Sequence, residues 1–242
     1  MYKLSIVIPI LNEEKNLLNL KRQIENNFKN ILYEVIFVDD NSTDNSKKII
    51  TSIIGKNKHF KCVFLKNKKR DLSKSVLTGA KKTKSKLVAV MDGDLQHLPK
   101  DLLNIYLEFK KNSKIDIIVG CRNLSYSKKL KEMSYIRLTA TKILIFVVKV
   151  LLGYKTSDPM SGFFIFKKNL LNFSSNFYAS GFKILMDLMY CSKKKIRIKD
   201  YPIKFQYRSA ESSKMNKKVL LHLILSILHK FFKKLISNEN KI

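Results

Sequence analysis

The sequence predicts an α/β fold built on a mostly parallel, Rossmann-like sheet flanked by helices. Two observations lead there. Short β-branched runs alternate with helical patterns of 10 to 15 residues through the first half of the chain, which is the pattern of right-handed βαβ units. Two of the runs also stop on acidic turns, Asp39-Asp40 and Asp92-Gly93-Asp94, and the carboxyl ends of strands are where open α/β sheets bind ligands.

Taken in order, Lys3 to Pro9 reads as a buried strand, and a helical pattern opens at Asn12-Glu13-Glu14 and runs through Ile24. Tyr33 to Val38 is the second strand, and Ser42 or Thr43 is expected to cap the helix that carries Ile49, Ile50, Ile53 and Ile54. Phe60 to Leu65, Leu72 to Lys84 and Lys86 to Met91 follow as strand, helix and strand. Pro99 suits the first turn of the next helix, and Ile115 to Val119 is a fifth strand. Tyr135 to Leu152 is strongly apolar but interrupted by Arg137, Lys142 and Lys149, so it reads as a core helix or an interfacial one and not as a span. Asp158 to Phe164 is a turn into a short strand, Gly181 to Cys191 a helix, and Ile196 to Phe205 closing strand broken at Pro202. The tail is apolar from Val219 and basic at its end.

With 242 residues, 45% of them hydrophobic, and no Pro/Gly/Ser-rich linker, one main domain is expected. Cys62, Cys121 and Cys191 are too few and too widely spaced for a zinc site or disulfide framework, and read as small core residues in a reducing compartment. The N-terminus lacks the features of a signal peptide. A net charge of +29 calls for an anionic partner: nucleic acid, a membrane surface or a phosphorylated substrate. Lysine abundance is also what a biased genome composition would give. The six arginines, Arg22, Arg70, Arg122, Arg137, Arg197 and Arg208, are the more informative cations, because lysine does not replace a planar fork for phosphate.

Asp92 and Asp94 stand one residue apart where a strand ends. If the chain stays extended their side chains face one way, able to hold a hard cation with the Gln96 amide oxygen as third ligand. Asp-Gly-Asp is equally an ordinary turn. Asp39 and Asp40 could merely cap the helix after them, and Arg137 could snorkel from an apolar helix. His97, His222 and His229 read as packed or solvated and not as ligands.

Five blocks together carry a resemblance. They are Ile8-Pro9-Ile10-Leu11-Asn12-Glu13, Val38-Asp39-Asp40-Asn41-Ser42-Thr43-Asp44, Met91-Asp92-Gly93-Asp94-Leu95-Gln96-His97, Asp158-Pro159-Met160-Ser161-Gly162-Phe163, and Arg208 with Ser213 and Lys214. In this order they resemble family-2 glycosyltransferases of the GT-A fold, most closely the dolichol-phosphate or polyprenyl-phosphate mannosyltransferases. The resemblance implies a catalytic domain over residues 1–214, including an interfacial helix at 135–152, and a basic membrane-associated tail at 215–242. It implies that Pro9, Leu11, Glu13, Val38, Asp40, Asp92 and Gly93 hold the nucleotide-sugar, and that Asp92, Asp94 and Gln96 bind Mg²⁺ or Mn²⁺. Arg122, Arg137, Thr141 and Lys214 would hold the acceptor phosphate, with Asp94, Arg122 and Arg208 as catalytic residues. Three positions depart from the family pattern: Leu11 replaces a usual Tyr, Gly93 a common Ala, and Glu211 a usual Gly.

The activity so implied is inverting transfer of a sugar, mannose from GDP-mannose in the nearest resemblance, to a polyprenyl or dolichyl phosphate. A phosphate acceptor already carries a nucleophilic anion near neutral pH, whereas a hydroxyl acceptor wants a base, for which Asp158 and Asp187 are the candidates. Other nucleotide-sugars or a hydroxyl acceptor are alternatives within the fold. A non-enzymatic nucleic-acid- or membrane-binding protein is the alternative outside it, although no nucleic-acid-reading motif is present and no nucleic-acid partner is expected. The expected setting is the cytoplasmic face of an anionic membrane, with a separate membrane protein as a possible partner.

Overall fold

A computed structural model describes residues 2–66, 71–122, 135–173, 184–190 and 195–203, with 227, 228 and 231; of residues 135–142 and 173 it describes the backbone alone. Seven strands form one sheet: β1 (Leu4–Ile10), β2 (Tyr33–Asp39), β3 (Phe60–Phe64), β4 (Leu87–Val90), β5 (Ile117–Arg122), β6 (Phe164–Lys167) and β7 (Ile198–Ile203). The helices are α1 (Leu17–Asn27), α2 (Ser46–Lys56), α3 (Leu72–Lys82), α4 (Pro99–Lys111), α5 (Tyr135–Leu152), α6 (Leu170–Phe173) and α7 (Ile184–Tyr190). The sheet order is β3-β2-β1-β4-β6-β5-β7. Every pairing is parallel except those of β6, which runs antiparallel to both β4 and β5.

Strands β1 and β2 are buried along their whole length because successive side chains point to opposite faces of the sheet and both faces are covered. Leu4, Ile6, Ile8 and Ile10 join the core that includes Leu17, Leu20 and Ile24 of α1, Ile50 and Ile53 of α2, and Leu102, Ile105 and Phe109 of α4. Val7, Ile36 and Val38 point the other way, into a core shared with Val76 and Ala80 of α3, Ile145 and Val148 of α5, and Leu185 and Leu188 of α7. Helices therefore cover both faces, and binding is left to the strand ends.

Three local expectations are corrected. Helix α1 begins at Leu17 and not near Asn12: Asn12 is left-handed (φ 56°), which no helix accommodates, and the backbone N–H groups of Asn12, Glu13 and Glu14 donate to Ser42 Oγ, Ser46 Oγ and Asp44 Oδ2. Neither Ser42 nor Thr43 caps α2: its N-cap is Asn45, which makes no side-chain capping bond, and the Ser42 hydroxyl serves the preceding loop instead. Strand β7 passes through Pro202 unbroken, which an edge strand tolerates because one side needs no donor.

At the opposite end of the sheet, Glu34 is fully buried on β2 and accepts hydrogen bonds from Ser5 Oγ, Lys61 Nζ and the Lys84 backbone. Burial pushes its carboxyl up, but the bonds from Lys61, Ser5 and Lys84 and the Lys61 charge outweigh burial and hold it below the ordinary value. A depressed folded pKa contributes stability above the unfolded value, and that contribution is lost as pH falls through the folded one. Glu34→Gln should therefore lower the urea midpoint at pH 7, with the difference from the parent shrinking below about pH 4. A pH-independent difference would remove the charge from the explanation.

Candidate active site at the carboxyl edge of the sheet

Strands β1, β2, β4 and β5 all end at one edge, and the reversed strand β6 starts there: Phe164 pairs with Val90 and with Val119. Reversal of β6 thus delivers the Asp158–Phe163 turn to the same edge as the acidic turn after β4. Three non-glycine residues among those described have positive φ: Asn12 (56°), Asn41 (61°) and Leu95 (61°). Each lies in a loop at this edge. Asparagine tolerates that conformation, but for Leu95 it costs about 1–2 kcal/mol, and strain of this kind gathers at functional sites.

The loops after β1 and β2 are laced together. Asn12 N donates to Ser42 Oγ at 3.0 Å, Thr43 N returns a bond to Asn12 Oδ1 at 2.8 Å, and Asn45 N reaches Glu14 Oε2 at 2.8 Å. Glu13 is buried and accepts from Asn16 Nδ2. Asp39 Oδ2 takes the Ser42 N–H, and Asp40 Oδ2 the Asp71 N–H at 2.7 Å, so Asp40 ties β2 to the N-cap of α3. The second oxygen of each carboxylate is buried and finds no hydrogen-bond partner among the described residues, a rare condition in native proteins. Pro9 and Val38, expected along the nucleotide, are buried; the Val38 side chain is wholly in the α3-side core. Leu11 is half-buried in the loop that follows β1.

The acidic turn departs from strand geometry. Strand β4 ends at Val90, Gly93 and Asp94 form a turn, and Leu95 is left-handed, so extended alternation does not set the directions of Asp92, Asp94 and Gln96. The turn places them instead. Asp94 is buried and its Oδ1 accepts the Gln96 backbone N–H at 3.1 Å. The Asp92 side chain is 37% exposed, with Oδ2 3.5 Å from His97 Nδ1. At Gly93 a Cβ would come within 2.8 Å of Ile10 Cδ1, so the alanine common elsewhere would need that side chain to move.

Arg122 closes the edge on the β5 side. Its Nε and Nη2 donate to Asp158 Oδ2 and Oδ1 at 2.7 and 2.9 Å, a bidentate pair, and Asp158 is 1% exposed. Burial would lower the Arg122 pKa, but the bonds and charge of Asp158, with the charge of Asp92, raise it further above its ordinary value. Asp158, a candidate base, is thereby committed to an ion pair. Asp187, the other candidate, is buried on α7. Thr156 Oγ1 and Ser157 N both donate to Asp200 on β7, fixing the chain just before Asp158. Arg137 and Thr141 lie on α5, but their side chains fall outside the described residues, as do Arg208, Glu211, Ser213 and Lys214 entirely.

Sequence reasoning assigned no role to Ser161, Gly162 or Phe163. A Cβ at Gly162 would sit 3.1 and 3.3 Å from the two oxygens of Asp92, so the absence of a side chain makes room for that carboxylate. Their place in the fourth block was the available signal. Chemically, two carboxylates and an amide on one turn form an all-oxygen donor set of the kind hard divalent cations prefer. Among the described residues no group of three His, Cys, Asp or Glu makes a metal cluster. Cys121, beside Thr156, is pushed by burial to about 11 and Cys62 to about 12, as befits packing residues; Cys191 is outside the described residues.

The profile of Glycosyl transferase family 2 matches residues 5–173. A dolichol-phosphate mannosyltransferase of Pyrococcus furiosus is 30% identical over 93% of this chain, which spans 62% of that relative's length. The dolichol-phosphate mannosyltransferase of Saccharomyces cerevisiae is 25% identical, over 91% of this chain and 84% of its own. A UDP-N-acetylglucosamine–dolichyl-phosphate N-acetylglucosaminyltransferase of Methanococcus voltae is 28% identical, over 84% and 85%. In fold, the chain is similar to glucosyl-3-phosphoglycerate synthase of Mycobacterium tuberculosis solved with Mn²⁺, uridine diphosphate and phosphoglyceric acid. That likeness has a TM-score of 0.70 at 16% identity and covers 95% of this chain and 78% of the other.

Proposed function

Since the chain belongs to glycosyl transferase family 2, we propose that it moves a sugar from a nucleotide-sugar to a polyprenyl phosphate with inversion at the anomeric carbon. Mannose is the sugar we favour, because the relatives from Pyrococcus furiosus and Saccharomyces cerevisiae are named dolichol-phosphate mannosyltransferases, and GDP-mannose is the donor we propose for it. The observation that carries the reading is the meeting, at one sheet edge, of the acidic turn with the Arg122–Asp158 pair through Gly162.

In this reading the β1 and β2 loops, with Leu11, Glu13 and Asp40, hold the nucleoside. Asp92, Asp94 and Gln96 would hold Mg²⁺ or Mn²⁺, which supplies positive charge to the departing diphosphate. Arg122, fixed in direction by Asp158, orients the acceptor phosphate from the other side, joined by Arg137, Thr141, Arg208 and Lys214. The acceptor brings its own anion, and the commitment of Asp158 to Arg122 favours a phosphate over a hydroxyl that would need that carboxylate as base. Gly162→Ala should press on the Asp92 carboxylate and lower turnover about 10-fold with little change in melting temperature. Parent-like turnover would show that the close approach is immaterial.

The membrane side of the reading rests on α5. Ile143, Phe146 and Val150 are exposed along the helix, followed by Tyr154, over whose ring Lys149 Nζ lies at 4.8 Å. No described helix is long and apolar enough to cross a membrane. An apolar strip with a flanking cation suits the interface of an anionic bilayer, where a lipid phosphate presents its headgroup. A cytoplasmic-face location, contact of the 215–242 tail with that bilayer, and a separate membrane-protein partner belong to the same proposal.

The test is incubation of the purified chain with Mg²⁺ or Mn²⁺ and radiolabelled GDP-mannose, UDP-glucose or UDP-N-acetylglucosamine, with and without polyprenyl phosphate. We expect an organic-phase product that needs the lipid phosphate and is greatest with GDP-mannose. Failure of every donor to label the lipid would overturn the proposal, and greatest product from another donor would reassign the sugar.

A further inference from the structure

His97 has the surroundings of a core residue but not the direction of one. It is 3% exposed, and its ring lies nearly parallel to that of Phe163, with centroids 4.7 Å apart and planes at 9°. Phe163 is itself wholly buried and fixed at both backbone groups: its carbonyl accepts the Gly120 N–H at 2.8 Å, and its N–H donates to Ser161 Oγ at 3.1 Å. Ser161 Oγ in turn donates to the Gly120 carbonyl at 2.7 Å. The stacked imidazole therefore inherits its plane from β5 through the turn before β6. Nδ1 lies 3.5 Å from Asp92 Oδ2, an ion-pair approach a little longer than a formed hydrogen bond, while Gly162 backs the same carboxylate from the other turn.

We infer that His97 is a positioning residue: it presents Nδ1–H to Asp92 Oδ2 and, with Gly162, fixes the direction in which the Asp92 carboxylate faces the divalent metal. An Asp92 side chain 37% exposed has rotamers to lose on binding, and a buried partner that restricts them beforehand reduces that cost. Hydrogen-bond partners of ligating carboxylates characteristically alter metal affinity by about 10–100-fold when removed. The inference rests on the proposed assignment of Asp92 to a divalent metal.

Two substitutions separate positioning from packing. His97→Phe keeps an aromatic ring against Phe163 and removes Nδ1; His97→Asn gives up the stack but retains an N–H donor at the Nδ1 position. Free Mn²⁺ would be followed by electron paramagnetic resonance during titration of each protein, with Mn²⁺ alone and with Mn²⁺ plus GDP, alongside melting temperature without metal. The parent should bind Mn²⁺, His97→Phe about 10-fold more weakly at a melting temperature close to the parent's, and His97→Asn nearer the parent in affinity despite a lower melting temperature. Parent-like affinity in His97→Phe would overturn the positioning role, as would affinity that follows melting temperature across the two variants. If His97→Phe does not fold, a folded His97→Asn that binds 10-fold more weakly than the parent overturns it equally. No Mn²⁺ binding by the parent in either titration would instead remove the metal assignment on which the inference stands.

Discussion

Asp94→Asn should abolish sugar transfer, by roughly 100-fold or more, in a protein whose circular dichroism and melting temperature are unchanged. The separation of the two effects follows from what the side chain does. In the folded protein Asp94 Oδ1 accepts the Gln96 N–H, a bond an asparagine Oδ1 makes equally well, so the turn with its left-handed Leu95 keeps its shape. What the amide cannot supply is charge. An all-oxygen site for a hard cation loses one of two anionic ligands, and the developing diphosphate loses the cation's full effect. Raising Mn²⁺ should recover part of the lost turnover. Turnover within a few-fold of the parent at low Mn²⁺ would remove Asp94 from the proposed metal site.

The fold was legible because its signals are local. Strand periodicity in Leu4–Ile10 and Tyr33–Asp39, and Pro99 opening α4, depend on neighbours in sequence, and the parallel strands were found within a few residues of their ends. What stayed hidden depends on partners far along the chain. The delayed start of α1 goes with a left-handed Asn12 in a loop whose N–H groups are held by Ser42, Asp44 and Ser46, roughly thirty residues on, contacts that no local pattern displays. The reversal of β6 has no signature in Phe164–Lys167, yet it is what brings Gly162 to Asp92. The directions of Asp92, Asp94 and Gln96 could not be read from alternation, because of the two geometries open there the turn is the one adopted, with Leu95 left-handed between Asp94 and Gln96. Arg122 was singled out as a scarce fork among lysines, but nothing in the sequence showed that the fork is shared with Asp158.

That sharing leads to the second large effect expected. Asp158→Ala should cost about 3 kcal/mol of stability, the low end for breaking a buried ion pair because Arg122 keeps 24% of its side-chain surface exposed. The loss arises from the partner left behind: a guanidinium in a largely desolvated position without its counter-charge. Arg122→Ala removes the guanidinium charge from the nearly inaccessible Asp158 carboxylate and should cost at least as much. Removing both should cost less than the sum of the single changes, giving a coupling of about 2 kcal/mol in a double-mutant cycle read from urea midpoints. Arg122→Lys is the informative intermediate. A point charge can stay near Asp158 but cannot donate to both oxygens in one plane, so much of the stability should survive while turnover falls about 10-fold or more. If Arg122→Lys loses stability and turnover in proportion, the pair is a structural strut. If stability largely holds while turnover falls, the direction of the guanidinium matters beyond its charge, as expected of a group that Asp158 aims at an acceptor phosphate.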